Sequence, residues 1–149
     1  MKPKKSYGFE NDLNLKTLVA LSRCFQSVRR RELKTIKRVG LTVAQFGVLE
    51  ILYHKGDLRI CEILEGTLST GGNMTVVIEN LERSGFVVRY PDPLDGRASL
   101  IQITGKGKEL IDGMFFDHVA NIGDIFSVLS TGEKQQLVQL LKKLGSATA

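Results

Sequence analysis

Long hydrophobic runs are absent from this chain of 149 residues, and cysteine and histidine occur only twice each. No apolar stretch approaches the length needed to span a bilayer, and Met1-Lys2-Pro3-Lys4-Lys5 leads into no hydrophobic signal region. This points to a cytoplasmic protein with no membrane contact. Cys24 and Cys61 are too few for a disulfide framework, and each falls in an apolar helical pattern, which suits a reducing compartment and predicts small, inert core residues. His54 and His118 fall on different predicted helices, with no Cys, Asp or Glu at triad or ligand spacing, so neither a catalytic nor a metal centre is expected. The glycine-containing stretches Ser69-Thr70-Gly71-Gly72 and Thr104-Gly105-Lys106-Gly107-Lys108 lack full nucleotide-binding spacing. They read as helix starts, and no cofactor is expected.

What is present is positive charge, unevenly placed. The chain carries a net +5, yet residues 1–40 hold eleven Lys/Arg against three Asp/Glu, while residues 56–104 hold four against seven. A basic chain invites a nucleic-acid reading. The acidic middle restricts that reading to a few placed arginines and helix-end dipoles rather than a basic patch.

That middle is also where the local order is most informative. Leu58-Arg59-Ile60-Cys61-Glu62-Ile63-Leu64-Glu65 has apolar residues at the spacing of a short half-buried helix, which Gly66-Thr67-Leu68-Ser69-Thr70 breaks. Ser69 or Thr70 suits the cap of a second helix, whose apolar face is Met74, Val77, Ile78 and Leu81 and which Ser84-Gly85 stops. Phe86-Val87-Val88-Arg89-Tyr90 and Ala98-Ser99-Leu100-Ile101-Gln102-Ile103 read as strands joined by the turn formers Pro91-Asp92-Pro93-Leu94-Asp95-Gly96. Helix, turn, helix and hairpin in that order make a winged helix-turn-helix.

The ordered set Ser69-Thr70-Gly71-Gly72-Asn73-Met74-Thr75, Asn80-Leu81-Glu82-Arg83-Ser84-Gly85-Phe86-Val87, and Asp92-Pro93-Leu94-Asp95-Gly96-Arg97 leading to Ile103-Thr104-Gly105-Lys106-Gly107 resembles the MarR family of bacterial transcriptional regulators. The resemblance spans roughly residues 10 to 145 and is most specific in the middle third. It implies a single, mainly α domain over 1–149 with a small antiparallel β-hairpin wing. In that plan 1–9 is a flexible basic tail, 41–104 the winged helix-turn-helix, and 10–40 with 105–149 the helical dimerisation region. It further implies a homodimer on a near-palindromic double-stranded DNA operator, with two reading heads roughly 34 Å apart. Most such proteins repress, and release DNA on meeting a small aromatic or phenolic compound or an oxidant.

Within that plan, Gly71 and Gly72 let the backbone approach DNA. Ser69, Thr70, Asn73 and Thr75 offer short polar groups, and Val76 suits a thymine methyl. Many relatives carry a polar reader at the place of Val76, so its identity here favours A·T steps and DNA shape over guanine recognition. By resemblance to the Asp-x-Arg wing motif, Arg97 at the hairpin tip enters the minor groove and Asp95 holds the wing's shape. The implied effector pocket lies between the dimer helices and the reading head, with Phe25, Phe46, Tyr53 and His54 as candidate lining. The alternative trigger is a thiol switch for oxidant or quinone at Cys24 or Cys61, although oxidant-sensing relatives place the reactive cysteine nearer the start of the first helix. A winged-helix module that binds protein instead of DNA is a further alternative, raised by the acidic middle. An enzyme is not expected.

The flanks read as helices. From about Asn11 to Arg38, Leu18, Leu21, Phe25 and Val28 recur at helical spacing, with Leu33 and Ile36 continuing a drifted stripe. Thr42 suits the cap of a helix facing the core with Phe46, Leu49, Ile51 or Leu52, and Tyr53. Thr104 suits the cap of a helix to about Val128, with Leu110, Ile111, Met114, Phe115, Val119, Ile122 and Phe126 inward, and with a bend or close helix contact expected at Gly113 and Gly123. Ser130 or Thr131 suits the cap of a last helix, whose narrow stripe Leu137, Leu140, Leu141 and Leu144 calls for a partner.

Overall fold

A computed structural model describes residues 5–67 and 73–148. Among them run α1 (Phe9–Arg38), α2 (Val43–Lys55), β1 (Leu58–Arg59), α3 (Ile60–Gly66), α4 (Met74–Arg83), β2 (Val87–Asp92), β3 (Asp95–Ile103), α5 (Gly105–Phe126) and α6 (Thr131–Thr148). The fold is mainly helical with a small antiparallel sheet, as expected. Helix α1 begins inside the segment read as tail, where the Asp12 carboxylate accepts the Tyr7 N–H at 3.0 Å and the Ser6 hydroxyl.

Helix α2 is the centre of the core. Thr42 caps it by accepting the Gln45 N–H at 3.1 Å, while the Gln45 side chain accepts the Thr42 N–H at 2.9 Å. This reciprocal box satisfies two donors that no helical carbonyl reaches. Phe46, Val48, Leu49, Ile51 and Leu52 are all buried, so both Ile51 and Leu52 face inward. Tyr53 does not: it is partly exposed and donates its hydroxyl to Asp112 on α5, a contact that raises its pKa above the ordinary tyrosine value.

The segment read as one helix from Leu58 begins instead as a strand. Leu58 pairs with Ile101 and Arg59 with Leu100, making a three-stranded sheet in the order β1-β3-β2. Two residues are too few to announce a strand by periodicity; the vacant edge of β3 supplies the hydrogen bonds that decide it. Helix α3 then starts at Ile60, and the Glu62 carboxylate accepts the Arg59 N–H at 2.7 Å. Gly66 ends it at a close approach: a Cβ there would lie 2.0 Å from the Ile51 Cδ1.

The cap of α4 is Asn73, not Ser69 or Thr70, which lie outside the described residues together with Gly71 and Gly72. The Asn73 Oδ1 accepts the Thr75 N–H at 3.0 Å. Met74, Ile78 and Leu81 are buried and Val77 half-buried. Burying one Ile or Leu contributes roughly 1.5–3 kcal/mol, against about 1 kcal/mol for a cap, so packing sets where α4 sits and the cap sets where it begins. We expect Asn73→Ala to cost about 0.5–2 kcal/mol, measured by urea denaturation, with no change in secondary structure content.

Helix α5 is capped by Thr104, whose Oγ1 accepts the Gly107 N–H at 3.1 Å and donates to the Gly85 carbonyl at 2.7 Å. Its inward face is turned slightly from the expected one: Ile111, Met114, His118 and Ile125 are buried, while Val119 is exposed. Gly113 and Gly123 make no close contact within this chain, since a Cβ at either would meet nothing. Ser130, not Thr131, caps α6: its hydroxyl oxygen accepts the Glu133 N–H while the Glu133 carboxylate accepts the Ser130 N–H. No residue of α6 is buried.

Candidate nucleic-acid interface

The wing is built around a register shift. From Val87↔Ile103 to Pro91↔Ser99 the two strands pair in step, and then Asp92 meets Asp95, so β3 carries three extra residues, Gly96, Arg97 and Ala98. The reversal itself is Pro93-Leu94. Arg97 is thus not at the tip, as the sequence suggested, but on the shifted segment just after it, where an insertion bends a strand and re-aims its side chains. Asp95 accepts the Arg97 N–H at 3.1 Å, the shape-holding contact expected of it. Arg97 is exposed, and among the described residues its guanidinium belongs to none of the ion pairs.

The carboxylate nearest in sequence to rival Asp95, Asp92, is already committed. It is buried, accepts the Leu94 N–H at 2.9 Å, and takes the Arg59 guanidinium, with Nε at 2.7 Å. The Leu94 N–H and then Arg59 hold its pKa below the usual carboxylate value. A carboxylate depressed in the fold contributes stability that is fully present above the ordinary carboxylate pKa and is lost as pH falls through the lowered one. Acid titration of unfolding is therefore expected to show a stability loss below about pH 4 that Asp92→Asn diminishes.

Two further contacts brace the wing. At the first, Asp57 accepts from both the Tyr90 hydroxyl and the Gln102 amide, and its bond to Tyr90 raises that tyrosine's pKa; at the second, Arg89 on β2 pairs with Glu82 on α4 at 3.0 Å. Asp57, Arg59 and Tyr90 were not legible as site residues, because their partners lie 33 residues away or more.

On α4, Asn73, Thr75 and Val76 are exposed opposite the buried Met74, Ile78 and Leu81. Glu79 is exposed as well, a carboxylate that the sequence reading passed over and that keeps this surface from being basic.

The helix-turn-helix and its wing thus stand on a core that α2 and α5 complete, and this arrangement recurs in known proteins. A family model described as MarR family matches residues 39–98. The HTH-type transcriptional regulator MhqR of Bacillus subtilis is 38% identical over 132 residues, which span 89% of this chain and 91% of that protein. The chain belongs to the MarR family. Another relative in B. subtilis, the uncharacterized HTH-type transcriptional regulator YkoM, is 40% identical over 136 residues, covering 91% of this chain and 87% of that one. Among solved structures, Bordetella bronchiseptica BpsR, whose DNA binding is regulated by 6-hydroxynicotinic acid, superposes with a TM-score of 0.79 at 26% identity over 95% of this chain and 98% of BpsR. Streptomyces coelicolor AbsC, at 18% identity over 97% and 98% of the two chains, shares the fold with a TM-score of 0.82. As a MarR-family member the protein is a DNA-binding transcriptional regulator of the winged-helix type.

The other candidate residues of this MarR-family chain divide. A cavity of about 300 Å³ opens between α1, α2 and the end of α3, lined among others by Arg29, Phe46, His54 and Lys55. Phe25 and Tyr53 do not line it; Phe25 is exposed on α1 with the Arg29 guanidinium 5.4 Å from its ring centroid. The two histidines, separate in sequence, meet in one aromatic cluster: His54 lies 5.3 Å from Phe115, and His118 lies 4.7 Å from Phe46. His54 Nδ1 donates to the Glu50 carbonyl at 2.8 Å, so Nε2 is the acceptor in the neutral ring. Cys24 and Cys61 are both exposed, not the buried core residues their helical context suggested. Among the described residues no helix is long and apolar enough to cross a membrane.

Proposed function

We propose that this regulator acts as a homodimeric repressor on a near-palindromic operator, with the start of α4 in the major groove and Arg97 in the minor groove. Arg97 carries the reading: it is raised on the register shift, exposed, and outside the ion pairs that occupy its neighbours. Asn73 and Thr75 offer polar contacts and Val76 a methyl-sized apolar one, with Ser69, Thr70, Gly71 and Gly72 as the adjoining backbone approach. The uncovered apolar faces of α1 and α6 support the dimer. Leu13, Leu18 and Phe25 on one, and Leu140, Leu141 and Leu144 on the other, are 43% exposed or more in a single chain, with Phe25 at 61%. Surfaces of this kind mark an association site.

A small aromatic or phenolic compound is the effector we assign to the cavity beside α2. Its volume suits a single ring, Phe46 supplies an apolar wall, and the free Nε2 of His54 suits a hydroxyl donor. Regulation of BpsR by a hydroxylated aromatic acid is consistent with that class. Such a compound must favour the released conformation, since equal affinity for both would shift nothing.

The test is binding of the purified protein to duplexes from around its own coding region and to random duplexes, over a range of salt. A dimer by sedimentation with a specific complex and a modest salt slope is the expected result, and the same assay then screens phenols and aromatic acids for release. A folded dimer with no preference over random DNA would instead support protein binding. The exposure of both thiols favours one second reading, an oxidant or quinone switch. Release by peroxide that persists in a Cys24→Ser, Cys61→Ser protein excludes it.

A further inference from the structure

Arg59 joins the two halves of the DNA-binding unit. Its backbone begins α3, where the N–H is held by Glu62 at 2.7 Å, and it pairs with Leu100 in the sheet. Its side chain reaches 33 residues along the sequence to the Asp92 carboxylate, with Nε at 2.7 Å. Asp92 in turn accepts the Leu94 N–H across the reversal and faces Asp95 in the ladder, and Asp95 accepts the N–H of Arg97. A continuous set of contacts therefore runs from the first helix of the helix-turn-helix to the residue placed in the minor groove.

We infer that Arg59 is a positioning residue for DNA recognition, fixing the wing reversal through Asp92 so that Arg97 is held ready for the groove; this rests on the reading of Arg97 as a groove contact. The argument is one of order. A three-residue register shift is a soft point in a ladder, because Gly96, Arg97 and Ala98 have no cross-strand partners in the pairing. Anchoring the residue at its edge limits the orientations open to Arg97 before binding, and so reduces the ordering cost met on binding. Asp92 is suited to this because it is buried and charged, and its two oxygens need fixed donors: Oδ2 takes the Arg59 fork through Nε and Nη2, while Oδ1 accepts the Leu94 N–H across the reversal. An exposed surface pair would not hold the wing in this way.

Charge alone and anchoring predict opposite signs for one substitution. Asp92→Asn removes a negative charge near DNA, which by electrostatics strengthens binding. If the pair positions the wing, Asp92→Asn weakens specific binding instead, as does Arg59→Ala. Both are expected to lose about tenfold on the operator in protein that is still folded at the assay temperature, with random-duplex affinity little changed, and Arg59→Lys to recover part of the loss. In an Arg97→Ala background, Arg59→Ala is expected to cost less than about twofold more, since the residue it positions is gone. Amide exchange in the free dimer gives a readout without DNA: Arg59→Ala is expected to speed exchange at Leu94 and Arg97 and to leave α4 unaffected.

Equal losses from Arg59→Ala with and without Arg97 would overturn the inference, showing an independent contact. So would stronger binding by Asp92→Asn, or unchanged exchange at Leu94 and Arg97. If Arg97→Ala weakens binding while Arg59→Ala does not, positioning fails and the groove contact stands. If Arg97→Ala itself binds normally, the groove contact fails and the inference falls with it.

Discussion

Arg97→Ala is expected to weaken the specific DNA complex by about tenfold or more while leaving the dimer folded. The side chain is exposed, and its guanidinium belongs to none of the ion pairs among the described residues, so its removal takes away no ion pair of the described fold. In the proposed complex its value lies in DNA: a narrow A·T-rich minor groove concentrates negative potential, and a guanidinium placed there gains more than one on an open backbone. Loss on random duplexes should be smaller, because those lack a uniformly narrow groove. Anisotropy titration of both duplexes at physiological salt measures the two effects together. Equal affinity of variant and native protein for the operator would remove the wing from the recognition surface.

Gly107→Ala is expected to destabilise the protein by about 1–3 kcal/mol, the usual cost of overpacking. The added Cβ would lie 2.5 Å from the Phe86 carbonyl oxygen and 2.7 Å from the Ile103 Cγ1. The oxygen is backbone, and it accepts the Thr104 N–H at 3.0 Å, so it cannot yield without loosening the base of the wing. The same region is pinned by Thr104 to the Gly85 carbonyl and by Lys106 to that of Ser84, each at 2.7 Å. We therefore expect the thermal midpoint to fall by roughly 2–10 °C at fixed protein concentration, with weakened DNA binding in the folded fraction. Gly113→Ala is the matched control on the same helix. A Cβ there meets nothing within 4 Å among the described residues, and alanine is favoured over glycine in a helix by about 1 kcal/mol, so this variant should gain stability. A midpoint unchanged by Gly107→Ala would mean that the joint between α5 and the wing is looser than its contacts indicate.

How far the sequence could be read differs from residue to residue. The helical stretches announced themselves by period and cap, as with Thr42 and Gln45 before α2 or Thr104 before α5, because both signals act within one or two turns. The cap of α4 is ambiguous in the sequence for a local reason: Ser69, Thr70 and Asn73 are all good caps, and choosing Asn73 among them requires knowing where Met74 becomes buried. Leu58–Arg59 could not be recognised as a strand, since only the edge of β3 makes it one. The exposure of Cys24 and Cys61 was also hidden, for an apolar neighbourhood along a helix does not reveal which face lacks a partner.

For the site, Arg97 and Asp95 were legible because they fall within a motif six residues long, and the contact between them spans two residues. Arg59 and Asp92 were not legible as a pair, nor were Asp57 and Tyr90, whose contacts each cross 33 residues. The sequence by itself determined the order of the helices and of the wing hairpin, the presence of an arginine in the wing and membership of a winged-helix class, since these depend on period, capping and turn chemistry acting over short range. The tertiary structure alone decided the third strand, the register shift that carries Arg97, the cluster joining His54 to His118 through Phe115, and the ion pair that ties the wing to α3. Each of these needs groups distant in sequence to meet, and which of them meet depends on how the burial of one shared core sets helices and sheet against one another.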